Sequence, residues 1–175
     1  TCSVTDNADK EARKLIRQAK RKNPNAQIAV IGCYAQLMPD QIAKIDGVNL
    51  VIGTENKFNV LTELDLLNLN SETKIIRNKI EDVNAFTPSY SSNDRTRTYL
   101  KVQDGCDYTC SFCTIPLARG RSRSDTISNT IKIANQAIRS GAREIVLTGV
   151  NIGDYGKNNN ESVSYTHLRA HETEA

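Results

Sequence analysis

The chain has 175 residues, 38% apolar and 25% charged, with a formal net charge of +3 at pH 7. This composition fits a globular protein slightly lean in core-forming residues, and no stretch approaches the roughly 18 apolar residues that a membrane span needs. The opening TCSVTDNADKEARK lacks signal-peptide order and an initiator methionine, so the chain is expected to start inside a longer, cytoplasmic protein.

Charge is distributed unevenly. Residues 95–162 carry 10 basic and 6 acidic residues, a net of +4, whereas residues 65–94 carry 3 and 5. The positive excess accompanies the clustered cysteines and suits an anionic partner such as RNA. Three of the five cysteines fall within eight residues, which in a cytosolic chain points to metal or redox chemistry rather than disulfides.

Residues 6–22 predict an amphipathic helix capped by Asp6, with Ala8, Ala12, Leu15, Ile16 and Ala19 on one face. Lys20, Arg21 and Lys22 complement the helix dipole in its last turn, and Asn23 and Pro24 stop it. The runs QIAVIGC (27–33) and VNLVIG (48–53) predict buried parallel strands. Pro39 opens a short helix over 39–45, and 56–67 predicts another, with Phe58, Val60, Leu61, Leu64 and Leu67 as its apolar face. Alternating strands and helices imply an α/β layered domain. Residues 68–95 are polar and rich in Asn and Ser, and read as a linker with an edge strand near 74–80.

A second domain follows. Residues 97–102 predict a strand, 106–123 a long loop, and Ser124 or Asp125 caps a helix running to about Ser140 on Ile127, Ile131, Ala134 and Ile138. Gly141 is placed at its C-cap and REIVLTG (143–149) forms the next strand, completing a βαβ unit of a parallel sheet or barrel. The last residues, VSYTHLRAHETEA, do not continue this pattern. His167 and His171 lie there four apart, and two histidines without further ligands rarely make a metal site.

The chemistry is concentrated in Cys106-Asp-Tyr-Thr-Cys110-Ser-Phe-Cys113, a C-x3-C-x2-C pattern. A structural zinc wants four protein ligands, and neither Cys2, Cys33 nor a tail histidine stands at a familiar spacing to supply the fourth. A four-iron cluster held by three thiolates keeps one iron open to chelate S-adenosylmethionine and pass it an electron. Phe112 would set an aromatic face beside the cluster or the adenine. The motif follows the first strand of a βα unit, where barrel enzymes gather their chemistry. A zinc site, or three buried cysteines, is the competing reading.

C-x3-C-x-aromatic-C after a strand resembles the radical S-adenosylmethionine signature, and YLKVQDGCDYTCSFCTIPLARGRSRS resembles the methylthiotransferases that modify tRNA adenosines. The phrases IPLARGRSRS and LTGVNIGDYG resemble the branch acting on N6-threonylcarbamoyladenosine beside the anticodon rather than the isopentenyladenosine branch. A sister branch that modifies a ribosomal protein aspartate is the nearest alternative. The likeness runs over about residues 1–157.

The resemblance implies an α/β fold: the C-terminal part of a flavodoxin-like methylthiotransferase N-terminal domain, then the first βα units of a radical S-adenosylmethionine partial TIM barrel. The implied organisation is a first domain over 1–67, a linker over 68–95, a radical domain over 96–161 and a non-family tail over 162–175 that looks foreign. In this family three further cysteines bind an auxiliary four-iron cluster. Cys2 and Cys33 match two of them, and the family's first cysteine is absent from this sequence.

The implied reaction uses two S-adenosylmethionine molecules, one to methylate sulfur on the auxiliary cluster and one to yield the radical that activates adenine C2. Gly149 and Asn151 are expected to contact S-adenosylmethionine. Arg119, Arg121 and Arg123 would contact tRNA phosphates or a carboxylate. The implied partners are the tRNA anticodon loop and an electron donor such as flavodoxin or ferredoxin. The alternative is a fragment that carries a cluster or zinc without turnover.

Overall fold

The structure, a computed structural model, describes residues 1, 5–67, 72–91 and 97–159, and Cys2, His167 and His171 lie outside them. It has an α/β character and divides into two compact units, residues 1–83 with 109–119, and residues 84–108 with 120–175.

The first unit opens with helix α1 (Asp6–Lys22). Its cap is Thr5, one residue before the expected Asp6: the Thr5 hydroxyl accepts the Ala8 N–H at 3.2 Å. Asp6 instead stands in the first turn, where a carboxylate faces the positive end of the dipole. Strand β1 (Ala29–Ile31) leads through Gly32 into α2 (Cys33–Leu37) and α3 (Pro39–Ala43). Strand β2 (Leu50–Ile52) then pairs parallel to β1, and β3 (Lys74–Ile76) pairs parallel to β2.

The three residues of the central strand are completely buried, as its unbroken apolar sequence requires. Ala12 and Ile16 of α1 pack with Val30, Tyr34, Ile42, Val48 and Val51 to form the core. The helix expected over 56–67 is shorter. A 3-10 turn (Lys57–Asn59) precedes α4 (Val60–Asp65), and neither buries a residue. Phe58 and Leu61 of the predicted apolar face are exposed, while Val60, Leu64 and Leu67 are half-buried, so the periodicity there is only partly covered.

In the second unit, β4 (Ser89–Tyr90) pairs antiparallel with β5 (Arg97–Lys101), and β6 (Gln103–Asp104) follows. The chain passes through α5 (Ile115–Arg119), in the segment that clusters with the first unit, and returns as β7 (Arg123–Ser124). Helix α6 (Ile127–Arg139) and strand β8 (Glu144–Thr148) complete the unit, with β8 parallel to β5 along five residue pairs. The α6 cap is Thr126, whose hydroxyl accepts the Asn129 N–H, rather than Ser124 or Asp125. Asp125 instead accepts from the Thr126 N–H and the Asn129 amide.

Leu100, Val102 and Tyr155 form the core of this unit, with Ile133, Ala134 and Ile145 against them. Ile127, Ile131 and Ile138, three residues of the predicted inward face, are exposed, and Ala137 is the one that is buried. The span 106–123 is also less irregular than expected, since it contains α5 and the first residue of β7. Among the described residues no helix is long and apolar enough to cross a membrane.

Candidate functional site

The cysteine motif occupies a loop pinched at its neck. β6 and β7 pair antiparallel, with Gln103 opposite Ser124 and Asp104 opposite Arg123. The Cys106 N–H extends this pairing by donating to the Gly120 carbonyl at 3.0 Å, so the loop leaves and returns at one place. Gly105 permits the close approach: its φ is +74°, and a Cβ there would lie 1.9 Å from the Arg121 carbonyl oxygen. Asp107 adds a tie from inside the loop, accepting the Ser122 N–H at 3.0 Å.

Two buried polar residues hold the neck from beneath. Gln103 is 1% exposed, and its amide nitrogen donates to the carbonyls of Asp104 and Gly105 and to the Ser122 hydroxyl, at 3.1, 2.8 and 2.9 Å. Its side-chain oxygen accepts the Asn151 N–H at 2.8 Å. A Cβ on Gly149 would meet that same oxygen at 2.8 Å, which is why a residue without a side chain stands there. Asp104 is 2% exposed, accepts the Gly105 N–H at 3.0 Å, and lies 3.5 Å from the Arg123 guanidinium and 3.7 Å from the Lys101 ammonium. A buried carboxylate needs such partners.

Arg123 is itself buried and also donates to the carbonyls of Ala85 and Arg121, at 2.9 and 3.1 Å. Of the three expected RNA-contacting arginines, only Arg121 is exposed, and Arg119 is half-buried at the end of α5.

Beyond β8 the chain folds back on the neck. The Asn151 side-chain amide donates to Asp154 at 2.8 Å, and the Gly156 N–H donates to the Ser124 hydroxyl at 2.8 Å. Lys157 pairs with Asp154 and lies 5.9 Å from the Tyr108 ring centre. The hydrogen bond to Asp154 raises the Lys157 pKa above its ordinary value. Gly149 and Asn151 are therefore brought to the base of the cysteine loop through a glutamine that no motif singled out.

The thiols are accessible. Cys110 is exposed, Cys106 and Cys113 are half-buried, and none is in a disulfide. Phe112 is 90% exposed, so its ring lies open rather than in a core. Cys106 belongs to the second unit, whereas Cys110 and Cys113 belong to the segment of the first. Within that first unit α5, two residues beyond Cys113, packs against α2, whose first residue is Cys33. The Thr54 hydroxyl fastens α5 by donating to the Ala118 carbonyl at 2.5 Å.

The half-buried Cys33 donates its N–H to the carbonyl of Thr1, the residue that precedes Cys2, at 3.0 Å. Among the described residues no group of three or more Cys, His, Asp or Glu side chains converges as a preformed metal cage. The donor set, three free and accessible thiols on one closed loop, nevertheless has the softness that iron–sulfur clusters require.

Residues 1–53 match a family model described as "Uncharacterized protein family UPF0004". The chain is 42% identical over 165 residues to the threonylcarbamoyladenosine tRNA methylthiotransferase MtaB of Bacillus subtilis (strain 168), covering 90% of this chain and 35% of that protein. It is 38% identical over 168 residues to the protein of the same name from Thermotoga maritima, covering 94% and 37%. It is 31% identical over 175 residues to tRNA-2-methylthio-N(6)-dimethylallyladenosine synthase of Clostridium perfringens (strain SM101 / Type A), covering 96% and 39%. The chain thus spans a little over a third of the length of the curated relatives it matches. About nine-tenths of the chain's residues align to proteins of this kind, so the chain is similar to the named methylthiotransferases over most of its length.

Proposed function

We propose that the protein to which this chain belongs is a tRNA methylthiotransferase that installs a methylthio group at C2 of N6-threonylcarbamoyladenosine beside the anticodon. The reading is carried by the pinched C-x3-C-x2-C loop in a chain 38–42% identical to proteins named for that activity. On this reading residues 1–67 are part of a flavodoxin-like domain. The linker covers 68–95, the first βα units of a radical barrel cover 96–161, and the tail from 162 lies outside the family pattern. The protein works in the cytoplasm and takes electrons from a flavodoxin or ferredoxin.

Cys106, Cys110 and Cys113 would hold one four-iron cluster. Cys2 and Cys33 would supply ligands to an auxiliary cluster, with a third ligand from outside this chain. When bound at the loop, such a cluster supplies the electron for reductive cleavage of S-adenosylmethionine. The protein's own part is positional. Gln103, Asp104 and Arg123 fix the neck of the loop, so Cys106 stands on a rigid base. Gly149 leaves room at that base, and Asn151 is held there through its main-chain N–H for contact with the cosubstrate. Phe112 offers an open ring face to an adenine. Arg121 offers an exposed cation to tRNA phosphates, and Arg119 lies on the same stretch. The packing of α2 against α5 supports an arrangement in which Cys33 and Cys113 serve neighbouring centres.

The deciding experiment is mass spectrometry of tRNA nucleosides from a strain lacking the gene, with and without the full-length gene restored. The expected result is loss and recovery of the methylthiolated threonylcarbamoyladenosine. An unchanged nucleoside profile alongside loss of a methylthiolated ribosomal-protein aspartate would replace the reading with its sister activity.

A further inference from the structure

The outward face of α1 carries more cationic charge than the dipole role of Arg21 in its last turn accounts for. Lys10, Lys14, Arg17 and Arg21 recur at i, i+4, i+7 and i+11, and all four are exposed. At 3.6 residues per turn they fall on a stripe roughly 60° wide and about 16 Å long. Ala12 and Ile16 bury the opposite side of the helix. Two other basic residues of α1 are committed to the fold. Arg13 donates to the hydroxyl of the fully buried Tyr34 at 3.1 Å, and Lys20 packs its stem on Gly47 while reaching the Ala26 carbonyl. The four stripe residues make no ion pair among the described residues. Like charges three and four apart repel along a helix, so this spacing weakens α1 and gains nothing in packing.

We propose that this stripe is a track for the phosphate backbone of the RNA substrate. The inference rests on the tRNA reading above and adds a second contact surface to it. Its length corresponds to about five nucleotide steps at roughly 3.4 Å of rise each. The face holds lysine, arginine and amide side chains, with Asp6 in line at its N-terminal end, but no aromatic or large aliphatic residue. A protein partner would need such an apolar centre to bury, whereas a phosphate backbone needs only cations. Lys22, also exposed, lies off the stripe and serves as the internal control.

The test is fluorescence-anisotropy titration of the full-length protein with the tRNA across a salt series. The combined substitution Lys10→Gln, Lys14→Gln, Arg17→Gln and Arg21→Gln is compared with Lys22→Gln. The expected result is at least about tenfold weaker binding at low salt and a salt slope shallower by about three to four, with Lys22→Gln less than half as effective as any stripe pair. A milder pair, Lys14→Gln with Arg17→Gln, should give about half the change in slope with α-helical circular dichroism intact, which separates lost contacts from lost folding. Wild-type affinity and slope in a folded quadruple variant would overturn the track. So would unchanged RNA binding with slower reduction by an acidic electron-transfer protein, which would assign the stripe to a protein partner. A wild type that ignores the tRNA but binds polyuridylate through the stripe would sink the substrate reading and support the track. A wild type that binds neither would sink both.

Discussion

The side-chain oxygen of Gln103 accepts the main-chain N–H of Asn151 at 2.8 Å, joining the residue ahead of the cysteine loop to the residue after β8. One buried amide thereby ties two loops that are 48 residues apart in the chain. Gln103→Ala leaves that N–H, the Gly105 carbonyl and the Ser122 hydroxyl without their partner. Losing buried hydrogen bonds of this kind costs about 1–3 kcal/mol. Amide hydrogen exchange at Asn151 should accelerate by at least about tenfold, while amides in the centre of β2 should be unaffected. Unaltered protection of Asn151 would show that the tie is dispensable.

The two sets of cysteines should separate by readout. After anaerobic reconstitution of the full-length protein, Cys106→Ala, Cys110→Ala and Cys113→Ala should each abolish reductive cleavage of S-adenosylmethionine and lose about four iron atoms. Cys33→Ala should keep that cleavage and lose only the methylthio product. Retained cleavage in any of the first three variants, or its loss in Cys33→Ala, would refute the assignment. A colourless, zinc-loaded wild type would refute it altogether.

The arginines after the loop divide in the same manner. Arg121 is exposed, so Arg121→Ala should weaken tRNA binding and lower the salt slope by about one. Its thermal midpoint should stay within a degree or two of wild type. Arg123→Ala removes a partner of the buried Asp104 and two bonds to main-chain carbonyls. Asp104 keeps Lys101 and the Gly105 N–H, but losing these buried bonds still costs about 1–3 kcal/mol, so this variant should fail first in a melting experiment. The opposite ranking in melting would mean that Arg123 is not what holds the neck.

These contrasts mark what could be read from residue order. The centres of β1, β2 and β8 were legible because apolar, β-branched runs have few other places to go, and β5 because Thr98 and Leu100 alternate with outward-facing residues. The cysteine spacing and the place of Gly149 and Asn151 were legible because loops at strand ends follow chain order. The neck was not. β6 and β7 have two residues each, too few for a period, and Gln103 and Asp104 are buried only because distant residues close over them. Helical periodicity also does not choose a face by itself. On α6 the Ile127, Ile131 and Ile138 set and the Ile133, Ala134 and Ala137 set both recur correctly, and the sheet selects the second. The run Ser124-Asp125-Thr126 offers three capping residues, and Ser124 is taken by the Gly156 N–H.

The glycine at the neck gives the sharpest test, because two independent constraints act on it. Gly105 has φ of +74°, where an L side chain costs about 1–2 kcal/mol on backbone grounds alone. Its missing Cβ would also lie 1.9 Å from the Arg121 carbonyl oxygen and 2.7 Å from that of Gly120. These are main-chain atoms held by the Cys106–Gly120 hydrogen bond, so they cannot swing aside as a side-chain tip would. Gly105→Ala must therefore open the neck, not merely strain it. The expected outcome is a protein with its β1–β3 sheet intact by hydrogen exchange, faster exchange at the Cys106 amide, and impaired assembly of iron at the loop. Gly141→Ala is the comparison: φ is +101° there, but nothing lies within 4 Å of its added Cβ, so it carries the backbone penalty alone. Equal effects of the two substitutions on iron loading would show that the close approach at Gly105 is not what shapes the loop.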